Sequence, residues 1–591
     1  MTALSPQDRL AALRAHLAEA GVQGFIIPRA DEHLGEYVPP SGERLAWLTG
    51  FTGSAGMAIV LPDRAAVFTD GRYTLQVRDQ TDPALWECRH VTDEPASEWL
   101  KAHGQDLTIG YDPWLHPAPA IERLSVPGVH LVPLPANPLD AVWKDRPTPP
   151  MAEAVPHPLA FAGKAAADKR AEAAAALREA GDAAVVLSDP HSVAWLLNIR
   201  GGDLAHTPLA LGFALLHDDA HVDLFMAPAK VPPETRAHLG NQVVVRPRED
   251  LPHALDALRG KRVRLDADTT PAWFSHWLTE AGATITLGED PCRMPRACKN
   301  AVEREGARNA HFRDAVAMAR FLHWFAQEAP KGHLTEISAA DQLLAFRRQV
   351  DRFRAESFPA ISGAGEHGAI VHYRVTPETD RRIAPDEVYL IDSGAQYLDG
   401  TTDITRTIWT GPGTAPAALK DRVTRVLKGH IALATAHFPS GVAGPHLDAL
   451  ARRPLWDAGL DYDHGTGHGV GSFLSVHEGP VAFSRAARVV PLREGMILSN
   501  EPGFYATGEY GIRLENLLLV IPATLPLASK PFLAFETLTL APFDRALIDP
   551  SLLTAAERDW LNGYHARVLA EVGPQVGRDV GEWLKEACAA L

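Results

Sequence analysis

The chain opens with apolar positions at helical spacing. Leu10, Leu13 and Leu17 recur every three or four residues and predict an amphipathic helix with one buried face. Ser5 suits its N-cap, Pro6 its first turn and Gly21 its exit. A short apolar strand follows at Phe25–Ile27. Then come the run Trp47-Leu48-Thr49-Gly50-Phe51-Thr52-Gly53 and two strand-like runs, Met57–Leu61 and Ala65–Thr69. The same order returns later. A helix is predicted from about Asp168 to Ala180 with Gly181 behind it, and a strand at Ala184–Leu187. Next come Trp195-Leu196-Leu197-Asn198-Ile199-Arg200-Gly201 and strand-like runs at Ala210–Leu216 and His221–Met226. Both runs fit Trp-Leu-x-x-apolar-x-Gly. The pattern reads as two related α/β domains, the second shorter by 12 residues between its exit glycine and its tryptophan.

The Pro-rich, weakly periodic stretch Pro133–Pro158 reads as a linker. A second break falls near Gly288–Pro295, and a long helical pattern then runs from near Lys299 to about Phe325. The predicted domains are 1–150, 151–297 and 298–591.

Composition narrows the class. The 591 residues are 46% hydrophobic and 22% charged, ordinary for a globular protein and contrary to wholesale disorder. The formal charge of −16 argues against nucleic acid or an anionic membrane as partner, since both are held by clustered Lys and Arg. No run reaches the ~18–20 apolar residues of a bilayer span. The most apolar segment, Leu517–Leu527, contains Pro522 and Pro526 and reads as a strand and a loop. The N-terminal pattern lacks a signal-peptide core. Cys88, Cys292, Cys298 and Cys588 are too few for a disulfide framework, and their spacing fits no common zinc site. A soluble, cytoplasmic protein is expected.

Metal-compatible residues concentrate in the last region. Asp392 ends the apolar run Val388–Ile391, and Asp403 follows an Asp399-Gly400 pair that invites a hairpin. A two-residue loop at Asp399-Gly400 would pair Asp403 with Gln396 and leave Asp392 about 13 Å away, too far to share one ion. For both to bind, the turn must centre nearer Tyr397 or Gly394 must allow a bulge. Glu501 and Glu515 are symmetric about Gly508, and a hairpin centred there sets them opposite each other. His468 lies among Gly465, Gly467, Gly469 and Gly471, where the backbone can approach other groups closely. The four carboxylates carry −4, which two divalent cations neutralise; without metal they repel one another. An oxygen-rich set with one imidazole suits Mn²⁺, with Co²⁺, Fe²⁺ or Zn²⁺ possible. Two such ions can share and acidify a water and polarise a carbonyl, the requirements of hydrolysis.

Several segments together resemble the metal-dependent peptidases of the pita-bread fold. They are Tyr389–Gly394, Asp399–Thr407, His464-Gly465-Thr466-Gly467-His468-Gly469-Val470-Gly471, Val476–Pro480, Asn500–Gly503 and Arg513-Leu514-Glu515-Asn516. The likeness is greatest to the three-domain aminopeptidase P (Xaa-Pro aminopeptidase) of the cytosolic type, and extends to Thr69–Tyr73 and Asp559–Asn562. It implies an α/β architecture: two creatinase-type N-terminal domains that narrow access, then a pita-bread catalytic domain of α+β type. It implies two divalent ions held by Asp392, Asp403, His468, Glu501 and Glu515, with Asp403 and Glu515 bridging. A hydroxide held between the ions would attack the carbonyl before proline in peptides with proline second. Glu501 would shuttle its proton, His477 would steady the carbonyl and oxyanion, His372 would contact the proline side, and His464 would line the pocket. Arg72 would reach the substrate from the first domain. Homodimerisation is a further implication. The alternatives are a prolidase limited to dipeptides, a metal-free creatinase-like C–N hydrolase, and a non-catalytic binding scaffold on the same fold.

Overall fold

A computed structural model describes residues 4–591. The chain forms two compact units. One holds the chain up to His157 with Lys164–Leu204 and Pro208–Cys292; the other holds Pro158–Gly163, Ala205–Thr207 and everything from Arg293 onward.

The first unit contains the repeat. Its opening helix, Pro6–Glu19, is capped by the Ser5 side chain, which accepts from the Asp8 amide, and it buries Leu10, Leu13 and Leu17. Six strands form the first sheet in the order Glu87–His90, Ala65–Thr69, Met57–Val60, Gly24–Pro28, Thr108–Tyr111, His130–Pro133. The second sheet runs Val243–Arg246, Val222–Phe225, Phe213–His217, Ala184–Leu187, Arg262–Leu265, Thr284–Leu287. Each sheet places its first strand fourth, antiparallel to the second and parallel to the fifth. These central strands are buried on both faces and therefore carry continuous apolar runs.

The shared tryptophan motif is a helix and its stop. Arg44–Thr49 ends at Gly50 (φ 83°), and Pro190–Leu197 ends at Asn198 (φ 49°). Both occupy the third position after the tryptophan, and both adopt the left-handed conformation that closes a helix. The stretch read as a linker is not wholly irregular. Asn137 caps a short helix, Pro138–Val142, which buries Leu139. A cap, a proline at the first position and two apolar residues outweighed the proline-rich surroundings.

The second unit contains the long helix Ala301–Glu328, started by a reciprocal cap between Asn300 and Glu303. Two sheets support the centre of this unit. One orders Ile361–Ala364, Val388–Ser393 and Ile404–Trp409; the other orders Phe438–Pro439, Phe532–Thr537, Asn516–Ala523 and Ile497–Asn500. The helix pair Ala417–Ala434 and Gly444–Trp456 approaches closely because Gly429 leaves room for the Ala451 carbonyl; a Cβ there would lie 2.0 Å from that oxygen.

Candidate metal centre

Two hairpins and a glycine-rich loop bring the carboxylates together. In the first hairpin Asp392 pairs with Thr405 and Ser393 with Ile404, while Gln396 pairs with Thr401 and Tyr397 with Gly400. The register is continuous, so the turn is Leu398-Asp399, one residue earlier than an Asp-Gly turn. This register sets Asp403 opposite Gly394, two residues from Asp392 and on the same face. The two carboxylates are then diagonal neighbours, roughly 7–8 Å apart at Cα. The long helix explains the shift. Asp399 is buried and accepts hydrogen bonds from Arg313 (2.9 and 2.7 Å) and Arg352 (2.6 Å). Gly400 lies against the same helix, where a Cβ would meet Ala310 at 2.9 Å. The pair expected to form a turn instead docks the hairpin.

The second hairpin has the predicted centre. Gly503 pairs with Arg513 and Ala506 with Tyr510 beyond the glutamates, and Asn500 pairs with Asn516 before them. One register spans both ladders, so Glu501 and Glu515 face each other about Gly508 (φ 76°). Glu515 is buried and accepts from the Thr405 hydroxyl at 2.7 Å; Glu501 accepts from Ser499 at 3.1 Å.

His468 arrives on the short strand Gly467–His468. Its glycine neighbours are required by packing: a Cβ on Gly467 would lie 2.0 Å from the Ser499 carbonyl, and one on Gly469 would lie 2.1 Å from that of Glu478. His468 Nε2 lies 3.5 Å from both Asp403 Oδ2 and Glu501 Oε1. Asp403, His468 and Glu515 each offer one ligand atom within 4.8 Å of the others.

The electrostatics are those of gathered anions. Burial, opposed by Arg513 and reinforced by Asp403, pushes the Asp392 carboxyl up to about 6. Burial and the charges of Asp403, Asp392 and Glu501 hold Glu515 well above the usual carboxylate range. Glu501 is raised by burial, despite His468 and Arg513. For His468 burial disfavours the charged ring, but the Asp403 hydrogen bond and the charges of Glu501 and Asp403 overcome it and push it up to about 9. Asp392 Oδ1 and Asp403 Oδ1 are buried without a hydrogen-bond partner. Unpaired buried carboxylate oxygens are costly, and cations satisfy them. The donor set fits divalent ions.

The other predicted residues surround this cluster or lie apart from it. The His477 ring stands edge-on to His468, with centroids 4.2 Å apart. His464 Nε2 lies 2.9 Å from the Tyr505 hydroxyl. His372 is half-buried in the turn after the short helix Gly365–Ala369, near Tyr373. The buried Glu336 steadies that turn by accepting from His367, Tyr373 and the Ala364 amide. Arg72 belongs to the first unit, where Asp70 grips it at 2.9 and 2.8 Å.

Sequence reasoning assigned no role to Arg513 or Tyr505. Arg513 donates to Asp392 Oδ2 and to the Tyr505 hydroxyl, each at 2.7 Å. The signal for Arg513 was its place two residues before Glu515, which sets both on one strand face. Tyr505 carried a weaker signal of the same kind, four residues after Glu501 on one strand face.

Comparison with known proteins extends this geometry to the whole chain. The model for metallopeptidase family M24 matches residues 305–522, and that for the C-terminal region of the same peptidases matches 531–591. The creatinase/prolidase N-terminal domain matches twice, at 9–141 and 145–303. Aminopeptidase P2 of Arabidopsis thaliana is 39% identical over 98% of this chain and 87% of its own. A probable Xaa-Pro aminopeptidase P of Aspergillus fumigatus is 40% identical over 96% of this chain and 90% of its own. The crystal structure of X-prolyl aminopeptidase from Caenorhabditis elegans, described as a cytosolic enzyme with a di-nuclear active site, superposes with a TM-score of 0.94. It is 34% identical and covers 100% of both chains.

Proposed function

Because the chain belongs to the Xaa-Pro aminopeptidase P family, with two creatinase-type modules before a pita-bread metallopeptidase module, we propose that it removes the first residue from peptides with proline second. The observation that carries the reading is the convergence of Asp392, Asp403, His468, Glu501 and Glu515, with two buried carboxylate oxygens that no protein donor satisfies. These five side chains would hold two divalent ions, with Asp403 and Glu515 shared between them. When bound, such ions acidify a water and polarise a carbonyl.

The chain's own groups do the rest. Glu501 takes the proton of the attacking water and returns it to the departing proline nitrogen. His477, beside His468, donates to the carbonyl oxygen as negative charge develops there. His464 lines the pocket and is oriented by Tyr505. His372 contacts the proline side of the substrate. The bond to proline is a tertiary amide with a ring-fixed φ, and a pocket shaped for that ring supplies selectivity. Mn²⁺ as the native ion, a cytoplasmic location, a homodimer and domains at 1–150, 151–297 and 298–591 complete the proposal.

The test is release of the first amino acid from Xaa-Pro-Xaa tripeptides after chelation and Mn²⁺ return. Cleavage of Xaa-Pro dipeptides alone would make the enzyme a prolidase. No cleavage with any divalent ion would make it a scaffold.

A further inference from the structure

The long helix Ala301–Glu328 passes behind the hairpin that carries Asp403, and a small enclosed cavity lies there. His311, Asp314, Thr402, Asp403 and Thr539 supply its polar lining. It leaves about 10 Å³ for the centre of a water molecule. That is about the least room that holds one water, provided two to four polar partners surround it.

The lining residues supply those partners. His311 Nε2 and Asp403 Oδ1 are both buried without a hydrogen-bond partner. His311 Nδ1 donates to the Ala307 carbonyl at 2.7 Å, so Nε2 of the neutral ring is an acceptor. Burial keeps that ring's proton affinity below the ordinary histidine range. A carboxylate oxygen is also an acceptor, so the two atoms cannot satisfy each other. A water can, because it brings two O–H donors. Thr402 Oγ1 already accepts from the Ala395 amide at 3.0 Å, and Thr539 Oγ1 from the Leu517 amide at 2.8 Å. Each hydroxyl retains a proton for the water oxygen. Asp314 does not compete, since Arg347 and Tyr397 occupy its carboxylate.

We propose that His311 is a positioning residue, holding one buried water that donates to its Nε2 and to the Asp403 carboxylate and so fixes that carboxylate as a metal ligand. The proposal rests on the assignment of Asp403 as a ligand. A carboxylate oxygen has two lone pairs, so a cation and the water can share it. Outer partners of this kind orient ligands and raise metal affinity.

Two measurements test it. In a high-resolution crystal structure of the metal-free protein, a solvent peak is expected within hydrogen-bond distance of His311 Nε2 and the Asp403 carboxylate. Absence of that peak overturns the proposal whatever the metal does. In Mn²⁺ titration by calorimetry, His311→Met is expected to weaken binding roughly 10–100-fold. His311→Gln, which keeps an acceptor, should stay within about threefold of the native protein. Equal weakening in both variants, or none in His311→Met, overturns the positioning role. If the native protein itself bound no Mn²⁺, the metal assignment would fall and the crystallographic water would still be readable.

Discussion

Arg513 donates a 2.7 Å hydrogen bond to Asp392 Oδ2, and both side chains are buried beside three further acidic groups. This guanidinium is a permanent cation within the cluster, beside the His468 ring that Asp403 and Glu501 favour in its charged form. It opposes the burial, and the smaller carboxylate repulsion, that raise Asp392 and Glu501. Its second contact, to Tyr505, links it to His464.

Replacing Arg513 by Met should therefore destabilise the chelated protein by the ~3–5 kcal/mol typical of a broken buried pair, seen as a strong drop in melting temperature. Mn²⁺ should recover part of the loss, because added positive charge replaces what was removed. Thermal unfolding with chelator and with Mn²⁺ reads both effects. An equal deficit in the two conditions would contradict this role.

If Asp403 and Glu515 bridge two ions as proposed, Asp403→Asn and Glu515→Gln each remove a shared ligand charge. Turnover of a tripeptide should drop by at least about 10³-fold, or ~4 kcal/mol in the barrier. The stabilisation that Mn²⁺ gives the native protein through mass action should also shrink. Near-native turnover at ordinary metal concentrations would remove these residues from the ligand set.

His477→Ala should separate chemistry from metal. Turnover is expected to fall about 10²–10⁴-fold, the range of a lost proton-donating group, with metal content unchanged. Metal analysis after gel filtration decides the matter: loss of the ions would make His477 a ligand.

Acid stability has a source outside the site. His430 is fully buried; its Nδ1 lies 3.2 Å from the Leu514 carbonyl and its Nε2 lies 3.2 Å from the Asn516 amide nitrogen. Burial, reinforced by Arg406, pushes its pKa down to about 3. The unfolded chain binds that proton near pH 6.5 and the folded chain does not. Stability is thus whole above about pH 6.5 and is lost as pH falls toward 3, at ~1.4 kcal/mol per pH unit from this group. Between pH 7.5 and 5, the urea midpoint of the chelated native protein should fall further than that of His430→Gln. Parallel declines would show that His430 is not the titrating group.

Two glycines should respond differently to alanine. At Gly467 the new Cβ meets a carbonyl at 2.0 Å, and the strand carrying His468 must move. A loss of ~1–3 kcal/mol and of most activity is expected. At Gly508 nothing lies within 4 Å, but φ is 76°. There about 1 kcal/mol should be lost and activity kept.

Much of this was legible before any coordinates. The doubled helix–strand–tryptophan order marked two related sheets because a buried first strand must be apolar and a helix must be stopped. The symmetry of Glu501 and Glu515 about Gly508 gave their pairing because strand register is set by simple counting. The Asp392 hairpin was harder. Its turn depends on Asp399 meeting Arg313 and Gly400 meeting Ala310, partners nearly ninety positions away that no local pattern announces. Arg513 and Tyr505 were missed for a related reason: they hold other site residues, Asp392 and His464, and do not belong to the proposed donor set.

The stop position shared by the two N-terminal repeats has a consequence for exchange between them. A side chain at Gly50 would run into the Gln80 carbonyl at 2.8 Å. At Asn198 a glycine would remove the side-chain oxygen to which the buried Lys169 ammonium donates at 2.7 Å, leaving it the Trp195 carbonyl at 3.0 Å. Neither copy can take back the other's residue. The kinship of the two halves survives in the path of the main chain, while each closes its helix with chemistry the other cannot borrow.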